Sequence, residues 1–152
     1  MTRQPIRAAT VVDADGIAAV HAVSWRSAYR GIFKDSTLGP ALDGERRAHW
    51  SGKLAAMGSD DTVLVADGVG FIAVWAKGDP GFGAYVDNLH VHPERRSAGL
   101  GRRLLGGAMR RVAGGGEIVD RGFDEIDGVQ VPHSRIAWRD AARLAAECGV
   151  VD

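Results

Sequence analysis

Apolar residues recur at intervals of three and four in two segments of the N-terminal half, which is the spacing of one helix face. The first helix is predicted to begin after Thr10, where Asp13 completes a capping pair, and to end or bend at Gly31. Its buried stripe consists of Ile17, Val20, Ser24 and Ala28. A second helix is predicted over residues 43–57, with Asp43 as its cap. Its apolar face consists of Trp50, Leu54 and Met57.

Short runs rich in branched and aromatic residues, bounded by turn signals, predict β-strands. They cover residues 6–8, 62–66, 69–76 and 85–92. Asp67-Gly68 predicts a tight turn between the second and third of these strands. Residues 100–112 then predict a further helix. The order of elements favours a mixed α/β domain in which the middle strands form an antiparallel run.

The C-terminal third has a different pattern. Residues 117–127 are charged at most positions, whereas a parallel strand covered on both faces is a nearly continuous apolar run. The segment therefore predicts an antiparallel edge strand that pairs, through a turn near Gly128, with residues 129–138. Three glycines at positions 114–116 separate this hairpin from the preceding helix.

Length and composition are those of one globular domain, residues 1–152. Nineteen Lys and Arg balance nineteen Asp and Glu, so no net charge favours nucleic acid or an anionic membrane. The single cysteine, Cys148, excludes an intrachain disulfide and fits a reducing compartment. No apolar run approaches the roughly 20 residues that span a bilayer, and the start of the chain is too short and polar for a secretion signal. We therefore expect a cytoplasmic protein.

The segment from Asn88 to Arg102 carries the strongest chemical signal. It runs from an apolar strand through Pro93 into an Arg- and Gly-rich loop that opens a helix. Such a loop leaves backbone N–H groups unpaired, and the helix dipole adds positive potential at the same point. Gly99 and Gly101 allow phosphates to approach the main chain closely. Fixed positive charge is added by Arg95, Arg96, Arg102 and Arg103. The segment predicts a cradle for a pyrophosphate.

The motif Val91-x-Pro93-x-x-Arg96-x-x-Gly99-x-Gly101 resembles the acetyl-CoA-binding motif of the GNAT superfamily of N-acetyltransferases. Segments near the N-terminus also resemble the family, so the resemblance covers about residues 4–113. It implies a GNAT-like α/β (α+β) fold, with a mixed, mostly antiparallel sheet flanked by helices, and acetyl transfer to an amine of a small molecule or protein. It also implies that acetyl-CoA pairs with the main chain of the motif strand and with backbone N–H groups of the loop. The residues concerned are Leu89, His90, Val91, Arg96, Ser97, Ala98, Gly99, Leu100, Gly101 and Arg102.

The chain departs from the family pattern after this motif. In the family a parallel strand and a helix normally follow, the pantetheine arm lies between the two strands, and the helix often supplies a Tyr that protonates the departing thiolate. Neither element is identified here, so the fold is predicted to be truncated in its C-terminal half. A second chain in a homodimer, or a helix over residues 139–148, would cover the exposed strand edge. The alternative function is a non-catalytic acyl-CoA-binding or dimeric scaffold module.

Two side chains on the motif strand are candidate catalytic groups. Asp87 lies four residues before Val91, where many family members place an acidic or histidine base. Hydrogen bonding at a strand end is its alternative role. Tyr85 and Tyr29 are the only tyrosines, so a tyrosine acid would be one of them, and packing is the alternative for both. Regular strand alternation would place one set of side chains on a common face: Tyr85, Asp87, Leu89 and Val91.

Two further chemical signals are weak. His90 and His92 lie two apart on the other face of the strand, but without a third ligand nearby they do not predict a metal site. Cys148 has no recognisable base partner and does not predict a nucleophile. The predicted ligands are therefore acetyl-CoA and an amine acceptor, with no metal, nucleic acid or membrane partner.

Overall fold

The computed structural model describes residues 3–79, 83–111, 115–126, 129–139 and 146 of the chain. Its helices and strands, in chain order, are β1 (Arg7–Ala8), α1 (Ala14–Tyr29), α2 (Ala41–Ala55), β2 (Thr62–Ala66), β3 (Gly70–Asp79), β4 (Gly83–Val91), α3 (Leu100–Met109), β5 (Gly115–Ile126) and β6 (Val129–Arg139). The predicted fold class, a mixed α and β fold with a mostly antiparallel sheet flanked by helices, is confirmed.

The elements follow the predicted order, with shifts at their ends. α2 begins at Ala41 rather than at Asp43, directly after Pro40, whose φ of −59° already suits a helix. Asp43 instead lies in the first turn of α2, where its carboxylate binds Arg26 of α1 at 2.6 Å. α3 ends at Met109 rather than near residue 112.

The strands form two separate sheets. β1, β2, β3 and β4 make one antiparallel sheet in that order, and β5 pairs with β6 in an antiparallel hairpin, as predicted. No strand among the described residues pairs with the outer edge of β4. The predicted C-terminal helix over residues 139–148 falls almost entirely outside the described residues. In the described part of the chain, no helix is both long and apolar enough to cross a membrane.

Each face of the four-stranded sheet has its own core, because successive side chains of a strand point to opposite faces. α1 and α2 cover one face, where Trp50 and Phe71 are fully buried. α3 covers the other face, where Leu104 packs in one cluster with Leu64 and Ile72. This packing fixes the start of α3, and with it the predicted cradle, beside the end of β4.

Gly70, at the start of β3, permits the close approach of α3. A Cβ at this position would lie 2.9 Å from the carbonyl oxygen of His90 and 3.2 Å from a methyl group of Leu100. Because a backbone oxygen cannot easily move aside, we expect Gly70→Ala to lower the free energy of unfolding by roughly 1–3 kcal/mol, measured by urea denaturation. Gly52→Ala is the control, since a Cβ on this exposed part of α2 meets nothing within 4 Å. It should leave stability unchanged or raise it by up to about 1 kcal/mol, and equal losses in both variants would contradict this account.

Candidate functional site

The backbone between β4 and α3 forms a concave turn that contains two left-handed residues. A short 3-10 turn, Pro93–Arg95, is followed by Ser97 with a φ of 68° and Gly99 with a φ of 80°. α3 begins immediately afterwards, so the first N–H groups of that helix have no partner within it. Left-handed residues interspersed in a turn direct neighbouring N–H groups to one side and create a concavity for anions. The turn therefore has the backbone geometry of an anion-binding site.

The arginines of this segment point in different directions. Arg96 folds back toward the sheet and donates to the carbonyl oxygen of Val91 and to the hydroxyl oxygen of Ser24, each at 3.4 Å. Arg103 turns away and donates to the main-chain oxygen of Gln4 at 2.9 Å. Three arginines are exposed at the turn: Arg95, Arg96 and Arg102. The expectation that all four arginines add charge at one point is therefore wrong for Arg103, which instead fixes the N-terminal segment.

The main chain of β4 presents hydrogen-bonding groups along its outer edge. The N–H of His92 donates inward, to the carbonyl oxygen of Val69 at 2.7 Å. Because the direction of main-chain groups alternates along a strand, His90 also points inward, whereas Leu89 and Val91 point outward. A ligand that pairs with this edge meets the main chain of Leu89 and Val91. The main chain of His90 faces β3, which differs from the prediction.

A β-bulge at Asp87 changes which side chains of β4 share a face. Ala73 of β3 lies opposite Asn88 but the next residue, Val74, lies opposite Val86, so Asp87 is an extra residue in β4. Val86 consequently packs toward α3, and the opposite face of the sheet receives the polar residues. These are Tyr85, Asp87, Asn88 and His90. The predicted alternation is wrong here because the bulge interrupts the period of two.

The side chain of Asp87 is held by a tryptophan. Trp75 Nε1 donates to Asp87 Oδ2 at 2.9 Å, and both residues are half-buried. Tyr85 lies opposite Trp75 in the sheet and is 40% exposed. Gly78 makes room for it, since a Cβ at that position would lie 2.6 Å from the Cβ of Tyr85. Both predicted catalytic residues are thus brought onto one face of the sheet, beside the same indole.

His90 lies at the centre of a hydrogen-bond chain that sequence reasoning missed. Its Nδ1 is 2.8 Å from Ser24 Oγ, and its Nε2 is 3.2 Å from Asn88 Oδ1. With the amide oxygen of Asn88 as acceptor, His90 donates from Nε2 and accepts the hydroxyl proton of Ser24 at Nδ1. Burial lowers the pKa of His90 to about 4; the charge of Arg96 adds to this shift, and that of Asp87 opposes it. The ring is therefore neutral at neutral pH.

A second buried histidine, His21 of α1, lies against His90 with ring centroids 4.6 Å apart. It is only 2% exposed, and its Nδ1 accepts a hydrogen bond from Trp50 Nε1 at 2.9 Å. Burial lowers the pKa of His21 to about 3, with smaller contributions from His90 and Arg46. Its Nε2 has no hydrogen-bond partner among the described residues. The signal that could have revealed this polar cluster is the presence of His21 and Ser24 on the buried face of a helix.

Helix α2 contributes basic side chains to the same side of the sheet. Arg46 lies over the ring of Trp25, with 4.9 Å between the guanidinium carbon and the ring centroid. Lys53 lies 5.2 Å from the centroid of the Trp75 ring. His49 lies between these two residues in the sequence of α2. Burial is the main cause that lowers its pKa, and the charges of Arg46 and Lys53 lower it further, while a nearby carboxylate opposes the shift. That carboxylate belongs to Asp87. Lys53 and Asp87 both contact Trp75, so side chains of α2 and β4 meet at this indole.

The histidine that follows β4 has a local structural role. His92 Nδ1 accepts a hydrogen bond from the N–H of Glu94 at 3.3 Å and so caps the short turn after the strand. In the part of the chain that the structure describes, no three His, Cys, Asp or Glu side chains are grouped so as to hold a metal ion. Cys148 lies outside the described residues.

Comparison with known proteins agrees with the fold. A family model described as Acetyltransferase (GNAT) domain matches residues 59–139, which is more than half of the chain. The fold is similar to that of a GCN5-related N-acetyltransferase from Rhodopseudomonas palustris, with a TM-score of 0.66 and 18% identity over 92% of this chain and 97% of that chain. It is also similar to the PaiA N-acetyltransferase from Thermoplasma acidophilum in complex with coenzyme A, with a TM-score of 0.57 and 15% identity over 86% of this chain and 97% of that chain. No curated protein matches the chain.

Proposed function

The chain belongs to the GNAT acetyltransferase family, and we propose that it transfers the acetyl group of acetyl-CoA to an amine of a small molecule or protein. The amine attacks the thioester carbonyl directly while both substrates are bound. As the C–N bond forms the carbonyl oxygen gains negative charge; the C–S bond then breaks, and CoA leaves as a thiolate that takes up a proton. The protein must therefore bind CoA, stabilise an oxyanion and accept a proton from the amine.

One observation carries this proposal: the open edge of β4 leads directly into the left-handed turn before α3. Leu89 and Val91 direct main-chain groups outward along that edge, and Arg96 of the turn reaches back to the carbonyl oxygen of Val91. A strand-edge N–H suits a developing oxyanion, and the N–H groups of the turn suit phosphates. Acetyl-CoA carries a thioester at one end and phosphates at the other, so one extended molecule fits both features.

Calorimetric titration with acetyl-CoA tests the proposal. We expect the protein to bind acetyl-CoA and Gly99→Val to weaken that binding by roughly tenfold to a hundredfold, because a branched residue resists the φ of 80° at this position and the turn must rearrange. Gly68→Val is the matched control, since Gly68 has a φ of 70° in the β2–β3 turn and a Cβ there also meets nothing within 4 Å. It should cause similar strain without changing the affinity. Absence of binding to the folded wild-type protein would reject the proposal.

For the chemical step we propose Asp87 as the base and Tyr85 as the acid. Trp75 fixes one oxygen of the Asp87 carboxylate on the face of the sheet that α1 and α2 cover, which supports a role in accepting the proton of the amine. Tyr85 is partly exposed on the same face, which supports a role in protonating the departing thiolate. Direct attack by the amine requires no covalent intermediate on the protein.

We further propose that the protein acts as a cytoplasmic homodimer. The single cysteine fits a reducing compartment. An exposed strand edge invites pairing with another chain, and β4 has such an edge among the described strands. A mass of one chain in light scattering would reject the dimer.

The same unpaired edge favours the alternative function, a non-catalytic acyl-CoA-binding or scaffold module. Such a module would bind acetyl-CoA but would acetylate no amine.

A further inference from the structure

The side chains that surround Trp25, Trp75 and the buried face of β4 carry more positive than negative charge. From α2, Arg46 lies over Trp25 and Lys53 over Trp75, and from the turn after β4 Arg96 reaches Ser24. The charges of Arg46 and Lys53 both lower the pKa of His49, and that of Arg96 lowers the pKa of His90, so these cations lie close to the two rings. Asp87 is the carboxylate that acts on both rings. A ligand seated here therefore meets one anionic group and several cationic groups.

Arg46 has a hydrogen-bond donor that no described residue satisfies. Its guanidinium lies over Trp25, its Nε is buried without a hydrogen-bond partner among the described residues, and no salt bridge joins it to a described carboxylate. Asp43, three residues before Arg46 on the same helix, is bound to Arg26 at 2.6 Å. A buried donor without a partner is uncommon in native proteins and costs free energy. A planar guanidinium held on an aromatic ring is oriented to receive a carboxylate.

We propose that the amine acceptor also carries a carboxylate, which Arg46 binds while the amine of the same molecule faces Asp87. This inference rests on the proposed acetyl transfer. Opposite charges at the two ends of the acceptor match the opposite charges of Arg46 and Asp87. Acceptors with several positive charges and no carboxylate, such as polyamines, are disfavoured because they meet Arg46, Lys53 and Arg96.

Matched pairs of small amines test this acceptor class. The release of the CoA thiol is measured with L-phenylalanine against 2-phenylethylamine, with 4-aminobutyrate against butylamine, and with spermidine. We expect kcat/KM to be roughly tenfold to a hundredfold higher for at least one carboxylate-bearing member than for its partner, since a charge-assisted hydrogen bond is lost in the latter. Arg46→Gln should remove this preference mainly by raising KM. Arg47→Gln, an exposed neighbour on α2, is the control and should keep it.

Two additional measurements keep the outcomes distinct. Calorimetric titration of the same amines into the protein, with and without saturating CoA, reports carboxylate recognition even if no acetyl group is transferred. Arg46→Lys, which keeps the charge but loses the planar fork, should restore part of the preference, provided that thermal unfolding shows both variants folded. Any one of three results would overturn the inference. These are equal binding and equal rates within each pair, a preference for spermidine, and an Arg46→Gln variant that behaves like wild type. Failure of acetyl-CoA binding alone would reject the proposed function and leave the amine titration as the test of Arg46.

Discussion

Asp87→Asn is expected to lower kcat by about a hundredfold or more while leaving the dissociation constant of acetyl-CoA unchanged. An asparagine has nearly the shape of the aspartate and its amide oxygen still accepts the hydrogen bond of Trp75, so the bulge in β4 should persist. What it lacks is the capacity to take a proton from the attacking amine. Steady-state kinetics with a transferable acceptor, together with calorimetric titration of acetyl-CoA, measures the two quantities separately.

Two control variants separate the base from its support. Trp75→Phe keeps a ring between β3 and α2 but removes the donor to Asp87, so we expect a fall in kcat of roughly tenfold, smaller than that of the base variant. Asp60→Asn removes a carboxylate from the exposed turn before β2 and should change neither constant. An Asp87→Asn variant with the wild-type rate would leave Asp87 only as the hydrogen-bond acceptor of Trp75.

Local signals in the sequence were sufficient to predict the order of elements and the position of the glycine-containing turn before α3. Helical spacing, the Asp67-Gly68 turn and the glycines after Pro93 each depend on neighbours close in the chain, and each indicates an element that the structure contains. The charged pattern of residues 117–127 likewise predicted the β5–β6 hairpin. A half-exposed strand contains many polar residues, whereas a strand covered on both faces is apolar at nearly every position.

The faces of β4 could not be predicted in the same way. A bulge depends on how two strands are paired, and the shift between Ala73 and Val74 is visible only when β3 and β4 are brought together. The regular alternation therefore assigned Asp87 to the face of Leu89 and Val91, whereas the bulge turns it toward α1 and α2. The correction matters for the proposed function, because it places Asp87 beside Trp75 on the face that α1 and α2 cover.

The buried polar cluster also depends on contacts between distant parts of the chain. Ser24 and His90 are 66 residues apart and meet only because α1 packs across the sheet onto β4. On the sequence, Ser24 was one position of an apolar stripe and His90 one position of a strand. A polar residue on a buried stripe predicts that a partner exists but does not identify it.

Acid is expected to destabilise the protein through His21, which is buried, and His90, which is half-buried. The pKa is lowered to about 3 for His21 and to about 4 for His90, whereas an unfolded histidine titrates near 6.5. Below pH 6.5 the unfolded chain therefore binds protons that the folded chain excludes, so stability falls with decreasing pH. Each histidine contributes about 1.4 kcal/mol per pH unit, or about 5 kcal/mol for both between pH 7.5 and 4.5. Since domains of this size are typically stable by about 5–15 kcal/mol, this loss is about a third or more of the total, and it occurs before the pH reaches the pKa of either folded histidine.

Urea denaturation at a series of pH values, comparing wild type with His21→Gln, isolates one of the two contributions. Glutamine does not titrate, and its amide oxygen can accept the hydrogen bond that Trp50 Nε1 donates to His21 Nδ1 at 2.9 Å. The variant is expected to be less stable at pH 7.5, because the new side chain packs less well, but to lose only about half as much free energy of unfolding on acidification. An unchanged pH dependence would mean that His21 takes up its proton in the folded protein, and the buried pair would then have to open to solvent without unfolding.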